Sequence, residues 1–563
     1  MRRGAASLLL FLAALAFAAS AAIVLTGGFA VRAIGLTLRD PIRPLVLGLA
    51  LLAAARLAAG PAFASLAQRL TGPRERLPVR LAVLVSVCVF VFALAWTSRA
   101  AGGSDSSCYV LQAEAFANGR ATLQNPVARV LPDAPNAVFA PGGFRPSARA
   151  YGSAVPICAA GLSLVMAPLY LVHPSAVFVV VPICAALLVW LTFVYGRWIE
   201  GATTGVCAAV LVACSPAFLY QAVQPMSDVP AAAAWMAALV SASPIAAGAW
   251  ASLAVLIRPN LVLLLLPLAF LKKGTVPFSG TGKRGLSPFL AAMVPGGAVL
   301  LALNVARYGG VFASGYGDAG TLFAFDRVGE NLARYPAWIL ETQTPLVLLA
   351  IAAPWVLRRD SARARIAWIS LAAVALLVVT YLTYTVFDDW WYIRFLLPAL
   401  PILLALSVTV LRAQIDRLPA LASGLTIAAV TVPFALYYVQ VARARHVTDL
   451  QRLESRFVLA GEYAARTLPE NAVILAVQQS GSIRFHGRRD TLTWDAIPPD
   501  ALDATIATLR TQGKTVYFAL EDAEEPDFRR RFAGQRFGAL DWRPLVELRA
   551  PTRVRFYSVE TAR

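Results

Sequence analysis

From the N-terminus to about residue 440, apolar runs of roughly 18–22 residues alternate with short polar stretches, each run long enough to cross the ~30 Å hydrocarbon layer of a bilayer. Lipid offers no partner to a free N–H or C=O, so runs of this kind predict helices that pair their backbone internally. Spans are expected near 8–30, 44–60, 80–98, 287–306, 338–357, 366–386, 395–411 and 418–440. The middle is more broken. Ala154–Val172 either crosses or dips into the outer leaflet as a re-entrant or surface helix, the second being favoured. Asp228–Leu271 is interrupted at Ser243-Pro244 and again at Arg258-Pro259-Asn260. The expected total is about thirteen spans.

Past residue 445 the period changes. Arg452–Thr467, Ala501–Gln512 and Asp527–Phe532 read as helices, while Ala472–Gln478, Thr515–Leu520 and Val554–Val559 read as strands. Helices alternating with strands indicate a small α/β domain. The expected fold is therefore an all-α polytopic membrane bundle with outer surface helices, followed by that domain. Residues 1–79 hold extra N-terminal spans, 80–440 the main module with a large outer loop at 99–151, and 441–563 the C-terminal domain. The last has no Gly-rich phosphate loop and no catalytic cluster, so it reads as accessory.

Of the 563 residues, 58% are hydrophobic and 14% charged, which excludes a single soluble core. A net charge of +19 would suggest nucleic acid in a soluble chain. Here much of the excess lies in the short loops Arg69–Arg80, Lys272–Arg284 and Arg358–Arg365, the bias that marks cytoplasmic loops, so no nucleic-acid partner is expected. Placing those loops inside, with Arg2 and Arg3, puts Asp105, Arg307–Pro336, Asp388–Arg394 and the C-terminal domain outside. Asp228 and Arg258 join them if Ala154–Val172 does not cross. The run Leu8–Ala22 after Met1-Arg2-Arg3 is similar to a signal peptide with a small-residue site near Ala19–Ala21, but it continues to Ala30 and favours an uncleaved span. Cys88, Cys108, Cys158, Cys184, Cys207 and Cys214 lie in or near spans at no metal-ligand spacing; they are expected to be apolar packing residues, with no disulfide framework and no zinc site.

Polar residues cluster at span ends on the outer side. Asp105 leads into a helix with Tyr109, Gln112 and a solvent-facing Glu114. The loop Asn118–Tyr151 carries Asp133, Arg145, Arg149 and the turn Pro141–Gly143, and a third cluster runs from Arg307 through Tyr316 to Asp318. The fourth is Asp388-Asp389-Trp390-Trp391-Tyr392-Ile393-Arg394, of whose two acids at most one serves a site. Plainer roles stay open: Asp105 and Asp228 as helix caps, Trp390 and Trp391 as belt anchors, Arg307 and Arg394 snorkelling to headgroups. Together, however, the set fits sugar transfer from a polyprenyl phosphate. That reaction needs a carboxylate to take a proton, cations for the departing phosphate, and a groove that aligns both substrates. Asp105, a choice of Arg145, Arg149, Arg258, Arg307 and Arg394, and the Trp/Tyr cluster supply these.

The segments GSDSSCYVLQAEAFANG, FAPGGFRPSARAYGSAVP, SDVPAAAAW, LAVLIRPNLVLLLLP, NVARYGGVFASGYG and DDWWYIRFLLPALP follow one another in an order that resembles the GT-C superfamily of integral membrane glycosyltransferases, which includes protein O-mannosyltransferases and lipid A aminoarabinose transferases. The resemblance covers roughly residues 80–440. It implies a polyprenyl-phosphate sugar donor, a glycan, lipid or protein acceptor, transfer with inversion, Asp105 as general base and Asp228 at the second acidic position. Tyr109, Arg145, Arg149, Arg258, Arg307, Tyr316, Asp388, Trp391 and Arg394 are the expected substrate contacts. Better-known relatives often carry Asp-Glu and Lys/His-Pro-Pro-Leu where this chain has Asp105-Ser106 and Ala140-Pro141-Gly142-Gly143. Two acids on separate loops suffice for Mg²⁺ or Mn²⁺ with help from water and phosphate. A transporter of a lipid-linked solute and a noncatalytic partner in envelope glycan assembly are the alternatives. Transporters tend to place ionisable groups mid-membrane and to carry repeats, neither of which stands out here.

Overall fold

The computed structural model describes residues 76–273, 286–317, 319–415 and 420–562, with the helix Ile42–Ala59 and scattered positions before it. The expected span over 8–30 and the loops Arg69–Arg80 and Lys272–Arg284 fall largely outside the described residues, as does Asp318. Among the described residues six helices are long and apolar enough to cross a bilayer: Arg76–Trp96, Pro174–Ile199, Ser287–Tyr308, Ser361–Leu382, Trp390–Ala413 and Thr426–Ala444. The chain is a multi-pass membrane protein. Two further apolar helix pairs, Ala202–Cys214 with Pro216–Ala222 and Phe325–Gln343 with Pro345–Val356, are bent by 64° and 99°, as a broken span or a re-entrant loop is.

The second bend replaces the straight span expected over 338–357. Thr344 takes φ 59° and Pro345, which has no N–H to give the preceding turn, opens the next helix. Shorter apolar helices, including Ala160–Val172, Asp228–Val240 and Pro244–Ile257, have 10–17 residues. At 1.5 Å per residue a 13-residue helix reaches only about 20 Å, so about thirteen full spans are not reached among the described residues. Ala160–Val172 is one of these, and it follows a strand, Ser153–Pro156, rather than a span.

That strand is the centre of a three-stranded antiparallel sheet in the outer loop, between Leu123–Gln124 and Phe144–Pro146, with Arg145 opposite Val155. In the C-terminal domain the order is Asp490–Leu492, Ala472–Leu475, Thr515–Glu521, Val554–Ser558, Val546–Leu548. The first three are parallel and the last two join antiparallel. Ala472–Leu475 is buried at every position, as a central parallel strand must be. The helix Ser480–Gly487 and strand Asp490–Leu492 were not expected, being short and polar in sequence.

The domain is not a detached accessory. Val127, Leu131, Val138 and Phe139 of the outer loop share one core with Leu492, Trp494, Leu502 and Phe518. Gln451 Nε2 donates to the carbonyls of Ala95 and Thr97 at 3.2 Å, so the domain sits at the end of the bundle where Arg76–Trp96 stops and the Asp105 segment begins.

Candidate functional site: two acid–arginine pairs at the bundle end

Asp105 is the first residue of the helix Asp105–Ala117, but it does not cap it: Ser104 holds the cap position and makes no side-chain cap bond. The Asp105 carboxylate instead accepts from Arg394, Nη2 to Oδ2 3.2 Å. The helix start is fixed from outside. Gly143 has φ 85°, and a Cβ there would lie 2.1 Å from the Ser104 carbonyl, so only glycine lets the Pro141–Gly143 turn pack this close. Ser107 Oγ donates to the Gly142 carbonyl at 2.7 Å, and the Ser480 hydroxyl of the C-terminal domain accepts from Gly142 N–H at 2.9 Å.

Cys108 and Cys158 form a disulfide, which overturns the expectation that all six cysteines are packing residues. The bond ties the Asp105 helix to the residue two before Ala160–Val172. Cys108 lies in the Asp105 helix and Cys158 just after the strand Ser153–Pro156; nearness to a span in sequence hid that, and the pairing spans 50 residues with no local signal.

The second pair repeats the first. Asp228 opens the helix Asp228–Val240, again without a side-chain cap from Ser227, and its Oδ1 accepts from Arg258 Nη2 at 2.7 Å. The Asp228 side chain is fully buried and that of Arg258 is 12% exposed. Arg258 is placed by the end of Pro244–Ile257, where Pro259 stops the helix and starts a 3₁₀ turn. One ring joins the pairs: the guanidinium carbons of Arg258 and Arg394 each lie 5.2 Å from the centroid of Phe395. Tyr381 stacks on that ring at 4.9 Å, and Arg394 also lies 5.1 Å from the Tyr392 ring. Tyr109 donates to Ser227 Oγ at 2.9 Å, linking the two acidic helices. Burial pushes its phenol up to about 12, so it stays a neutral donor.

Three polar atoms here are buried without a partner: Asp228 Oδ2, Arg258 Nη1 and Arg394 Nε. Buried polar atoms are paired in the great majority of folded proteins, so three together mark a place completed by something else.

The other expected residues divide. Tyr316 is 40% exposed, and desolvation, then the nearby Tyr109 and Asp105, raise its phenol. Trp391 stacks on Tyr220 at 5.8 Å and Trp390 meets the same ring edge-on at 5.3 Å, an internal cluster rather than a lipid belt. Asp388 is not drawn in: it is 89% exposed and pairs with Arg334 at 2.7 Å, because the helix Val328–Gln343 presents that arginine to the loop. Glu114 does not face solvent; it binds Arg488 of the C-terminal domain and accepts from Tyr170 OH at 2.8 Å. Arg145 and Arg307 act on Tyr308, and Arg149 binds the Ala306 carbonyl two residues before it. Sequence reasoning missed Phe395 and Ser227; their only signal is adjacency to Arg394 and Asp228.

Among the described residues no three His, Cys, Asp or Glu side chains come together, and Asp105 and Asp228 are each held by an arginine.

A sheet in the loop 99–151 over short broken helices, with a C-terminal domain seated on them, is a fold the chain shares with solved structures. The chain is similar in structure to ArnT from Cupriavidus metallidurans bound to undecaprenyl phosphate (TM-score 0.55, 15% identity, covering 85% of this chain and 97% of that one). It is also similar to the Archaeoglobus fulgidus oligosaccharyltransferase in complex with Zn and sulfate (TM-score 0.50, 12% identity, 81% of this chain and 69% of that one). No protein-family model matches the chain, and no curated protein matches it by sequence.

Proposed function

We infer that this protein is a glycosyltransferase that moves a sugar from a polyprenyl-phosphate donor to an acceptor at the outer face of the cytoplasmic membrane. The observation that carries this is the joined pair of acid–arginine contacts with its three partnerless buried atoms. The similarity to ArnT, whose structure holds undecaprenyl phosphate, supports the donor class. The Cys108–Cys158 disulfide supports the outer placement, since disulfides persist in oxidising compartments.

In this reading the donor phosphate lies against Arg258 and Arg394, whose free Nη1 and Nε complete its hydrogen bonds. The acceptor hydroxyl or amine attacks the anomeric carbon from the opposite face, and its proton passes to Asp105. The bond from that carbon to the phosphate oxygen breaks, and the electron pair leaves with the polyprenyl phosphate, whose charge the two guanidiniums stabilise. Attack opposite the leaving group inverts the configuration. Asp228 orients Arg258, and the rings around Phe395 border the sugar. Asp388 has no part in this.

The test is a transfer assay in nanodiscs with lipid extract from the native host, wild type beside Asp105→Asn, read by mass spectrometry. Consumption of a polyprenyl-phosphate sugar by wild type alone is the expected result. No consumption by well-folded wild type overturns the reading.

A further inference from the structure

Away from the acid pairs, three arginines converge on the last turn of the helix Leu286–Tyr308. Arg307 is 3% exposed; its Nε donates to the Ala121 carbonyl at 2.9 Å and its guanidinium carbon lies 5.0 Å from the Phe116 ring centroid. Its Nη2 is buried with no partner. Arg149 Nη1 donates to the Ala306 carbonyl at 3.3 Å, which leaves Nη2 beside Gly309. Arg145, exposed on the outer-loop sheet, carries its charge to the same Tyr308 ring. Among the described residues none of the three forms an ion pair, although every arginine of the acid pairs does.

The chain facing them carries two glycines. Gly309 and Gly317 have φ 87° and 90°; a Cβ at Gly309 would approach Arg149 Nη2 at 4.0 Å, and one at Gly317 would approach Arg145 Nη1 at 3.6 Å and Thr321 Oγ1 at 3.8 Å. A charge-dense cluster with no ion-paired acid among the described residues, a buried donor left without a partner and small glycines beside it has the chemistry of an anion cradle. The carbonyls at the helix end account for one hydrogen bond of Arg149 and leave the remaining charge unanswered.

We propose that Arg145, Arg149 and Arg307 form a second anion site, separate from the donor's, that holds a phosphate group of the acceptor or of an outer-leaflet lipid headgroup. As an acceptor site the proposal rests on the glycosyltransferase reading; as an anion site it stands alone. Arg307 is the fixed anchor, while Arg145 and Arg149 close on the group from the outer loop.

The test uses full-length protein in neutral phosphatidylcholine nanodiscs that contain polyprenyl phosphate, so the donor site is filled. Inorganic phosphate is titrated in and followed by phosphorus NMR. In parallel, discs containing phosphatidylglycerol are analysed for retained lipid by native mass spectrometry. The double variant Arg145→Ala/Arg149→Ala, altered only at exposed side chains, is expected to lose about tenfold or more in affinity. A loss confined to free phosphate assigns the site to a diffusing or acceptor-borne anion; a loss confined to phosphatidylglycerol assigns it to a headgroup. Binding equal in wild type and variant in both arms, or no binding in either, overturns the proposal. Donor consumption by the same discs reports separately on the glycosyltransferase reading.

Discussion

Arg394 and Arg555 both meet carboxylates, yet the two regions treat charge in opposite ways. In the C-terminal domain Arg555 touches Glu525 at 2.7 Å, Asp522 at 2.9 Å and Glu547 at 3.2 Å, while Arg553 shares Asp522, so charge is spread over several partners around the strand Val554–Ser558. At the membrane end each arginine has one acid, an aromatic face and polar atoms left over. Arg258–Asp228 is buried while Asp105 is 44% exposed, and desolvation offsets much of the attraction of a buried pair, so such a pair is a poor device for stability alone. The leftover valence, more than the charge itself, separates a place built for a ligand from one built to hold a fold.

The contrast breaks if Asp105 is dispensable. Asp105→Asn keeps the shape and is expected to lower transfer by about 10²–10⁴-fold, the range for a positioned general base, with an unchanged melting curve as the control. A variant with near wild-type transfer removes Asp105 from the chemistry. Next in size is Arg394→Lys, which keeps the charge but loses the planar fork that reaches both Asp105 and a phosphate. Steady-state kinetics should show transfer reduced roughly tenfold to a hundredfold, the equivalent of one charge-assisted hydrogen bond. Rates equal to wild type would mean that only the point charge matters.

How far these two regions could be read beforehand differs as well. Spans such as 366–386 and 395–411, and the strands Thr515–Leu520 and Val554–Val559, were legible because long apolar runs and short alternating ones have local signatures. Asp105, Tyr109, Asp228, Arg258 and Arg394 were legible as polar residues at span ends, and they do meet. Which acid meets which arginine was not, because pairing over 30 and 289 residues is set by how helices pack. The same holds for Cys108 with Cys158 and for Glu114 with Arg488. Asp388 lies apart from them: Trp390 is buried, but Asp388 and Asp389 are exposed and Asp388 turns to Arg334.

The remaining tests sharpen the boundary between the two regions. Cys108→Ser/Cys158→Ser should cost about 2–4 kcal/mol of stability in non-reducing thermal melts, since it frees the Asp105 helix from the outer loop. A melt unchanged from wild type would show that the sheet alone holds the loop. A pH effect comes next. His486 Nε2 accepts from the Ala101 N–H at 3.2 Å, and burial followed by the charge of Arg488 lowers its pKa from 6.5 to about 4. The unfolded chain therefore binds this proton first, so the contribution is full above pH 6.5 and falls as the pH drops toward 4. His486→Gln should flatten that part of a stability profile, and an identical slope would assign it to other groups.

The smallest effect belongs to the C-terminal surface. Arg510 pairs with Glu560 at 3.0 Å with both side chains nearly half exposed, where water and salt screen the attraction. Arg510→Ala should change stability by less than about 1 kcal/mol and leave transfer unchanged. Arg510 lies on the helix Leu502–Thr511, whose Leu502, Ile506 and Leu509 pack into the core that the domain shares with the loop 99–151. A measurable drop in transfer would therefore mean that the domain passes strain through Val138 and Trp494 to the Gly142–Ser480 contact, and the division between a fold-holding and a ligand-holding region would have to be redrawn there.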